Sequence, residues 1–186
     1  MPYFPPGWLS NQDKQQGVGF SAVTPSATIY NFPSNQPLTP PMPGFDDLGA
    51  GYNMGFLFSA NSAGLIATGV RWYAPVAMTV TPFLNDGGGT NRAVGVATAV
   101  SAGWNYIPFT TPYTMTSGSE YVVGITQSTQ KYTYLANALA TSFTVGPLSV
   151  VGPNAGLLSS GSTVAALSAA SGHTNAWFGI DVVVST

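Results

Sequence analysis

The run Met78-Thr-Val-Thr-Pro-Phe-Leu-Asn85-Asp-Gly-Gly-Gly89-Thr-Asn-Arg-Ala-Val94-Gly-Val-Ala-Thr-Ala-Val100 decides the fold class. Apolar side chains recur in it at every second position, the period of a strand with one face buried. Met78, Val80, Pro82 and Leu84 share one stripe, and Val94, Val96, Thr98 and Val100 share another. Between the stripes lies Asn85-Asp86-Gly87-Gly88-Gly89, whose glycines accept the positive φ values that a tight hairpin demands. Pro82 cannot donate to a ladder, so its strand is expected to have an edge or a bulge there.

The same alternation continues in both directions. Ile66, Thr68, Val70 and Trp72 are expected on one strand face, and Tyr121, Val123 and Ile125 on another. Ile107 and Phe109 mark a buried side that leaves Trp104 and Tyr106 on the opposite face. Phe178, Ile180, Val182 and Val184 form the last stripe. Strands about ten residues apart with Gly-rich turns indicate an all-β antiparallel β-sandwich or jelly roll over residues 51–186. No stretch of 54–150 has the pattern of an amphipathic helix. Residues 152–175 read as a long loop, with a short helix at 162–170 as the weaker alternative because Ser and Gly disfavour it. Such a loop covers a sheet edge or contacts another subunit.

Residues 1–50 differ. They hold nine of the fifteen prolines, which fix φ and remove donors, so neither a helix nor a central strand fits. They also carry Phe4, Trp8, Phe20, Tyr30 and Phe32, rings that a solvated linker avoids. The reading is an extended Pro-rich N-terminal arm with those five rings as assembly anchors. The arm wraps its own domain or docks on a neighbouring subunit, and the charge content favours the second.

That content is four basic and six acidic residues in 186, with net charge −2. An ordinary soluble domain is about a quarter charged, and charge is what holds monomers apart. The chain is therefore expected to live packed among other subunits, including copies of itself. Four scattered cations, Lys14, Arg71, Arg92 and Lys131, argue against nucleic acid as a partner. No apolar run approaches the ~18 residues of a membrane helix, and Met1–Lys14 lacks the basic and apolar regions of a signal peptide. Neither a membrane partner nor secretion is expected. Without cysteine there is no disulfide frame or thiolate chemistry.

Catalytic residues are not expected, and neither is a metal or another cofactor. His173 is the only histidine and reads as a solvated or hydrogen-bonded loop residue. No nucleophile elbow, HExxH, phosphate loop or EF-hand spacing occurs in the sequence. Asp86 reads as turn chemistry, while Glu120 and Asp181 suit structural pairing with Arg71 or Arg92. Exposed rings can stack on sugars, which makes Trp104 and Tyr106 the candidates for glycan contact. Core packing, or burial under the arm, is the competing use of both.

The motif order Gly55-Phe56-x-Phe58, Gly64-Leu65-Ile66, Gly69-Val70-Arg71-Trp72-Tyr73, Gly103-Trp104, Ile107-Pro108-Phe109, Gly118, Tyr121-Val122-Val123 and Phe178-x-x-Asp181-Val182-Val183 resembles a known family. It is a β-sandwich domain of uncharacterised function found in bacterial surface proteins, often beside glycan-active modules, and among virion proteins of phages infecting actinobacteria. The resemblance spans about residues 54–184 and brings no catalytic residues. The Pro-rich arm, and a start unlike a signal peptide, favour the phage branch. The resemblance thus implies a virion structural protein, a tail, tail-tip or capsid-decoration component, assembled in the bacterial host cytoplasm. Its partners are other virion proteins and copies of itself. The alternative is a carbohydrate-binding module that recognises host surface glycan.

Overall fold

The computed structural model describes residues 28–29, 44–46, 51–128, 131–161, 163–169 and 173–186. Fifteen strands follow in order: β1 Thr28–Ile29, β2 Gly44–Asp46, β3 Tyr52–Ala60, β4 Ile66–Ala74, β5 Met78–Asp86, β6 Asn91–Val94, β7 Thr98–Val100, β8 Gly103–Thr114, β9 Glu120–Gln127, β10 Lys131–Thr133, β11 Phe143–Val145, β12 Leu148–Val150, β13 Gly156–Ser160, β14 His173–Thr174 and β15 Ile180–Ser185.

These form an antiparallel β-sandwich. One sheet runs β1-β15-β4-β8, and the other runs β11-β12-β3-β9-β5-β6, with β13 on the same edge of β3 as β12 and β7 beside β5. Between them Met54, Phe56, Phe58, Leu84, Val123 and Ile125 pack against Val70, Trp72, Ile107, Ile180 and Val182 in one buried cluster. The Tyr113 and Tyr121 rings meet edge to face at 6.1 Å, tying β8 to β9 across the layers. Burying large rings and β-branched side chains on the inner faces is the main stabilising contribution, about 1.5–3 kcal/mol for each side chain.

The Gly-rich hairpin joins β5 to β6. The Thr90 amide donates to Asp86 Oδ1 at 2.8 Å and the Gly89 amide to the Asp86 carbonyl at 2.9 Å. Gly89 takes φ +88°, which a residue with a Cβ rarely adopts.

Two expected stripes change face part-way. Val94 and Val96 are exposed and Ala93 is buried instead, whereas Val100 is buried as its stripe requires. The cause is Pro82. Its carbonyl accepts from the Gly95 amide, so its nitrogen, which has no hydrogen, faces the same neighbour. The run breaks there into β6 and β7, and the parity of its side chains is reset. On β4 a bulge between Ala67 and Gly69 does the same: Ala67, Val70 and Trp72 face the core, whereas Ile66 and Thr68 are half-buried.

Residues 152–175 are not all loop. β13 adds to the edge of β3 over five residue pairs, and β14 pairs with β13. No helix forms in 163–169. That stretch lies against the sheet, held by buried asparagines. Asn85 Nδ2 donates to the carbonyls of Ala165 at 3.0 Å and Leu167 at 3.1 Å. Asn53 Oδ1 accepts from the Ala165 amide at 3.1 Å and from the Thr126 hydroxyl.

Of residues 1–50, β1 pairs with β15 and β2 with β10, both antiparallel and both within this chain. Phe4, Trp8, Phe20, Tyr30 and Phe32 lie outside the described residues.

Candidate functional site

The outer face of the four-stranded sheet gathers the aromatic candidates. Directly opposed residues share a face. Asp181 stands opposite Arg71, Arg71 opposite Tyr106, and Tyr73 opposite Trp104. Alternation therefore places Asp181, Arg71, Tyr73, Trp104 and Tyr106 together, turned away from the core face that carries Val70, Trp72 and Ile107.

Trp104 and Tyr106 sit two residues apart and do different things. Trp104 is half-buried and engaged from several sides. The Arg71 guanidinium lies 4.0 Å from its ring centroid, the Tyr73 ring meets it edge to face at 5.5 Å, and Trp177 lies at 6.3 Å. Arg71 in turn approaches the Asp181 carboxylate, Nη1 to Oδ2 3.6 Å, with the Asp181 side chain fully buried and that of Arg71 25% exposed. A planar guanidinium serves both partners, stacking on the ring while it faces the carboxylate.

Tyr106 is 52% exposed. Its hydroxyl donates to the Thr68 carbonyl at 3.3 Å, and a Cβ at Gly69 would come 2.9 Å from its ring. The ring thus lies across a glycine, pinned at its far end, with its outer surface in water. It is a preset apolar platform with a polar rim, the shape that suits a sugar face or a partner's side chain.

Arg92 and Asp86 serve the β5–β6 hairpin. Arg92 donates from Nε at 3.0 Å and from Nη2 at 2.7 Å to Asp86 Oδ2. The Thr90 amide, and then Arg92, hold the Asp86 carboxyl below its usual range. Asp86 raises the Arg92 guanidinium further. Desolvation, then the neighbouring Tyr121, raises the Tyr113 phenol. His173 lies on β14, opposite Leu157. Among the described residues, no three His, Asp or Glu side chains come together.

Arg71 and Asp181 were legible only as possible partners; the placement of Arg71 over Trp104 was not. Single-strand alternation shows which face a ring takes. It does not show which cross-strand neighbour will cover it.

The family described as "Domain of unknown function (DUF4082)" matches residues 38–178, well over half of the chain, and the chain belongs to it. No curated protein matches the chain, and no solved structure does.

Proposed function

We propose that this member of the DUF4082 family is a structural subunit of a multi-protein particle, acting by protein–protein contact and not by turnover. The observation that carries the reading is the use of charge. Residues 51–186 contain six charged side chains, and four of them are taken up in the pairs Arg71–Asp181 and Arg92–Asp86. Among the described residues, what faces solvent is mainly Thr, Ala, Ser, Asn and Gly, with Val76, Val94, Val96 and Tyr106 also exposed. Such a surface offers little repulsion between copies and suits lasting contact.

The particle is a phage virion, in which the sandwich serves as a tail, tail-tip or capsid-decoration component. This part of the reading is supported by the motif resemblance, not by the geometry. Mass spectrometry of purified particles tests it. The chain is expected in many copies per particle, and its absence from intact particles overturns the proposal.

A second reading, host-glycan binding, is favoured by one observation: the pinned, half-exposed Tyr106 ring beside Trp104. Tyr106→Ala should then abolish retention on host wall polysaccharide while leaving the oligomeric state unchanged. No retention of the unaltered protein on any wall fraction removes this reading.

A further inference from the structure

β6, Asn91–Val94, borders the larger sheet: β5 lies on one side of it, and no described strand pairs with it on the other. We infer that this border joins a second copy of the chain, antiparallel and across a two-fold axis at Val94, so that the larger sheets of two copies become one. The inference deepens the assembly reading and rests on it.

Three observations support it. First, the main-chain groups of the border are turned outward and held in place. The Gly95 amide donates to the Pro82 carbonyl at 3.0 Å, which carries the ladder one residue past β6. Main-chain groups alternate sides along a strand, so Ala93 and Gly95 turn theirs to β5, and Arg92, Val94 and Val96 turn theirs away from it. Phe83 and Val94 are accordingly opposed without exchanging hydrogen bonds. The Val96 carbonyl accepts from the Thr98 hydroxyl at 2.9 Å and keeps its second lone pair. Gly95 fixes the run against the molecule. It is buried, and a Cβ there would run into the Pro108 carbonyl and come 2.6 Å from the Pro82 ring.

Second, the side chains suit a copy of themselves. Val94 is 37% and Val96 67% exposed, and branched side chains pack well against cross-strand neighbours. A two-fold axis at Val94 sets this residue beside its own equivalent, and Arg92 opposite the second copy's Val96. No like charges meet. Arg92 lies off the axis, and its Nε and Nη2 already donate to Asp86 Oδ2 of its own chain. The pattern is its own complement, which is the condition an isologous contact imposes.

Third, this border lacks the guards of other edges. β1 occupies the edge of β15, β14 pairs with β13, and β8 contains Pro108 and Pro112. Proline, lysine or a covering segment blocks foreign strands. Residues 91–96 contain neither proline nor lysine. Outward main-chain groups flanked by apolar side chains are what strand addition uses.

The chain has no cysteine, so one introduced thiol reports one position. Opposed Cα atoms in a hydrogen-bonded pair lie about 5.5 Å apart, within the ~4.4–6.8 Å that a disulfide spans. Full-length Val94→Cys, oxidised mildly, should form a covalent dimer on a non-reducing gel, lost on reduction. Val76→Cys, 39% exposed between β4 and β5, should not. Val94→Lys sets two like charges together on the axis and should sediment as a smaller species than the unaltered chain. Val94→Cys that cross-links no faster than Val76→Cys overturns the inference and leaves the border to a different chain. Val94→Lys of undiminished mass overturns it as well. Either failure beside an unaltered chain that is multimeric leaves the assembly reading standing, whereas an unaltered chain that is monomeric at every concentration removes both.

Discussion

Asp181 and Arg71 face one another across the β15–β4 ladder, with the carboxylate fully buried and the guanidinium both 3.6 Å from it and stacked 4.0 Å from the centre of the Trp104 ring. One cation therefore joins a buried acid to the aromatic cluster of the outer face. Burying a charge is costly unless it has a partner.

Removing that partner should be expensive. Arg71→Met keeps the length of the side chain but removes the guanidinium that faces Asp181 across the ladder. A loss of about 3 kcal/mol is expected, the low end for a broken buried pair because Arg71 keeps part of its surface in water. Urea unfolding at neutral pH measures it. Arg71→Met/Asp181→Leu should recover most of the loss, since a well-packed apolar pair often replaces a buried ion pair without cost.

Gln127 makes the opposite prediction. It is 1% exposed, lies opposite Val80 on the core face of β9, and its side-chain amide nitrogen and oxygen make no hydrogen bond among the described residues. An unsatisfied buried amide costs about 1–3 kcal/mol. Gln127→Met has similar volume and no such requirement, so the unfolding midpoint should rise with an unchanged denaturant slope. A fall in the midpoint would show that the amide is satisfied in solution.

Asn85 holds two carbonyls of the stretch lying over the sheet. Asn85→Ala should cost about 1–3 kcal/mol in lost and orphaned bonds. Hydrogen exchange should locate the damage. The Ala169 amide, bonded to the Gly87 carbonyl, should lose protection, while amides of β9 should keep theirs until global unfolding.

Asp86 sets the acid response of the hairpin. Its folded-state carboxyl titrates below its ordinary value, chiefly because of the Thr90 amide. A depressed carboxylate contributes stability that is present above the unfolded value of about 3.9 and is lost as pH falls through the folded one. The Thr90 amide should therefore lose protection below about pH 4. Asp86→Asn should flatten that pH dependence. Equal acid sensitivity in the variant would place the effect elsewhere.

The all-β architecture was readable from period-two alternation, and the β5–β6 hairpin from Asn85-Asp86-Gly87-Gly88-Gly89. What misled were the points where a ladder breaks. Pro82 signalled an irregularity, but not that the break would fall in the neighbouring run and turn Val94 and Val96 outward. The bulge at Thr68 has no marker in a single strand, because a bulge is a property of two strands. β13 was missed because Gly156-Leu157-Leu158-Ser159-Ser160 has little alternation of its own; it is a strand because the edge of β3 was open to receive it. At the candidate site, alternation put Trp104 and Tyr106 on one face. Only cross-strand register could separate the ring under Arg71 from the ring left in water.

The central claim is that a surface nearly without charge exists to hold other subunits. Sedimentation of the intact chain over a range of micromolar concentrations, at about 0.05 M and about 1 M salt, tests it most directly. The account predicts a multimer whose mass does not fall at high salt, because contacts made by uncharged groups are not screened. A monomer at every concentration and both salt levels would contradict it.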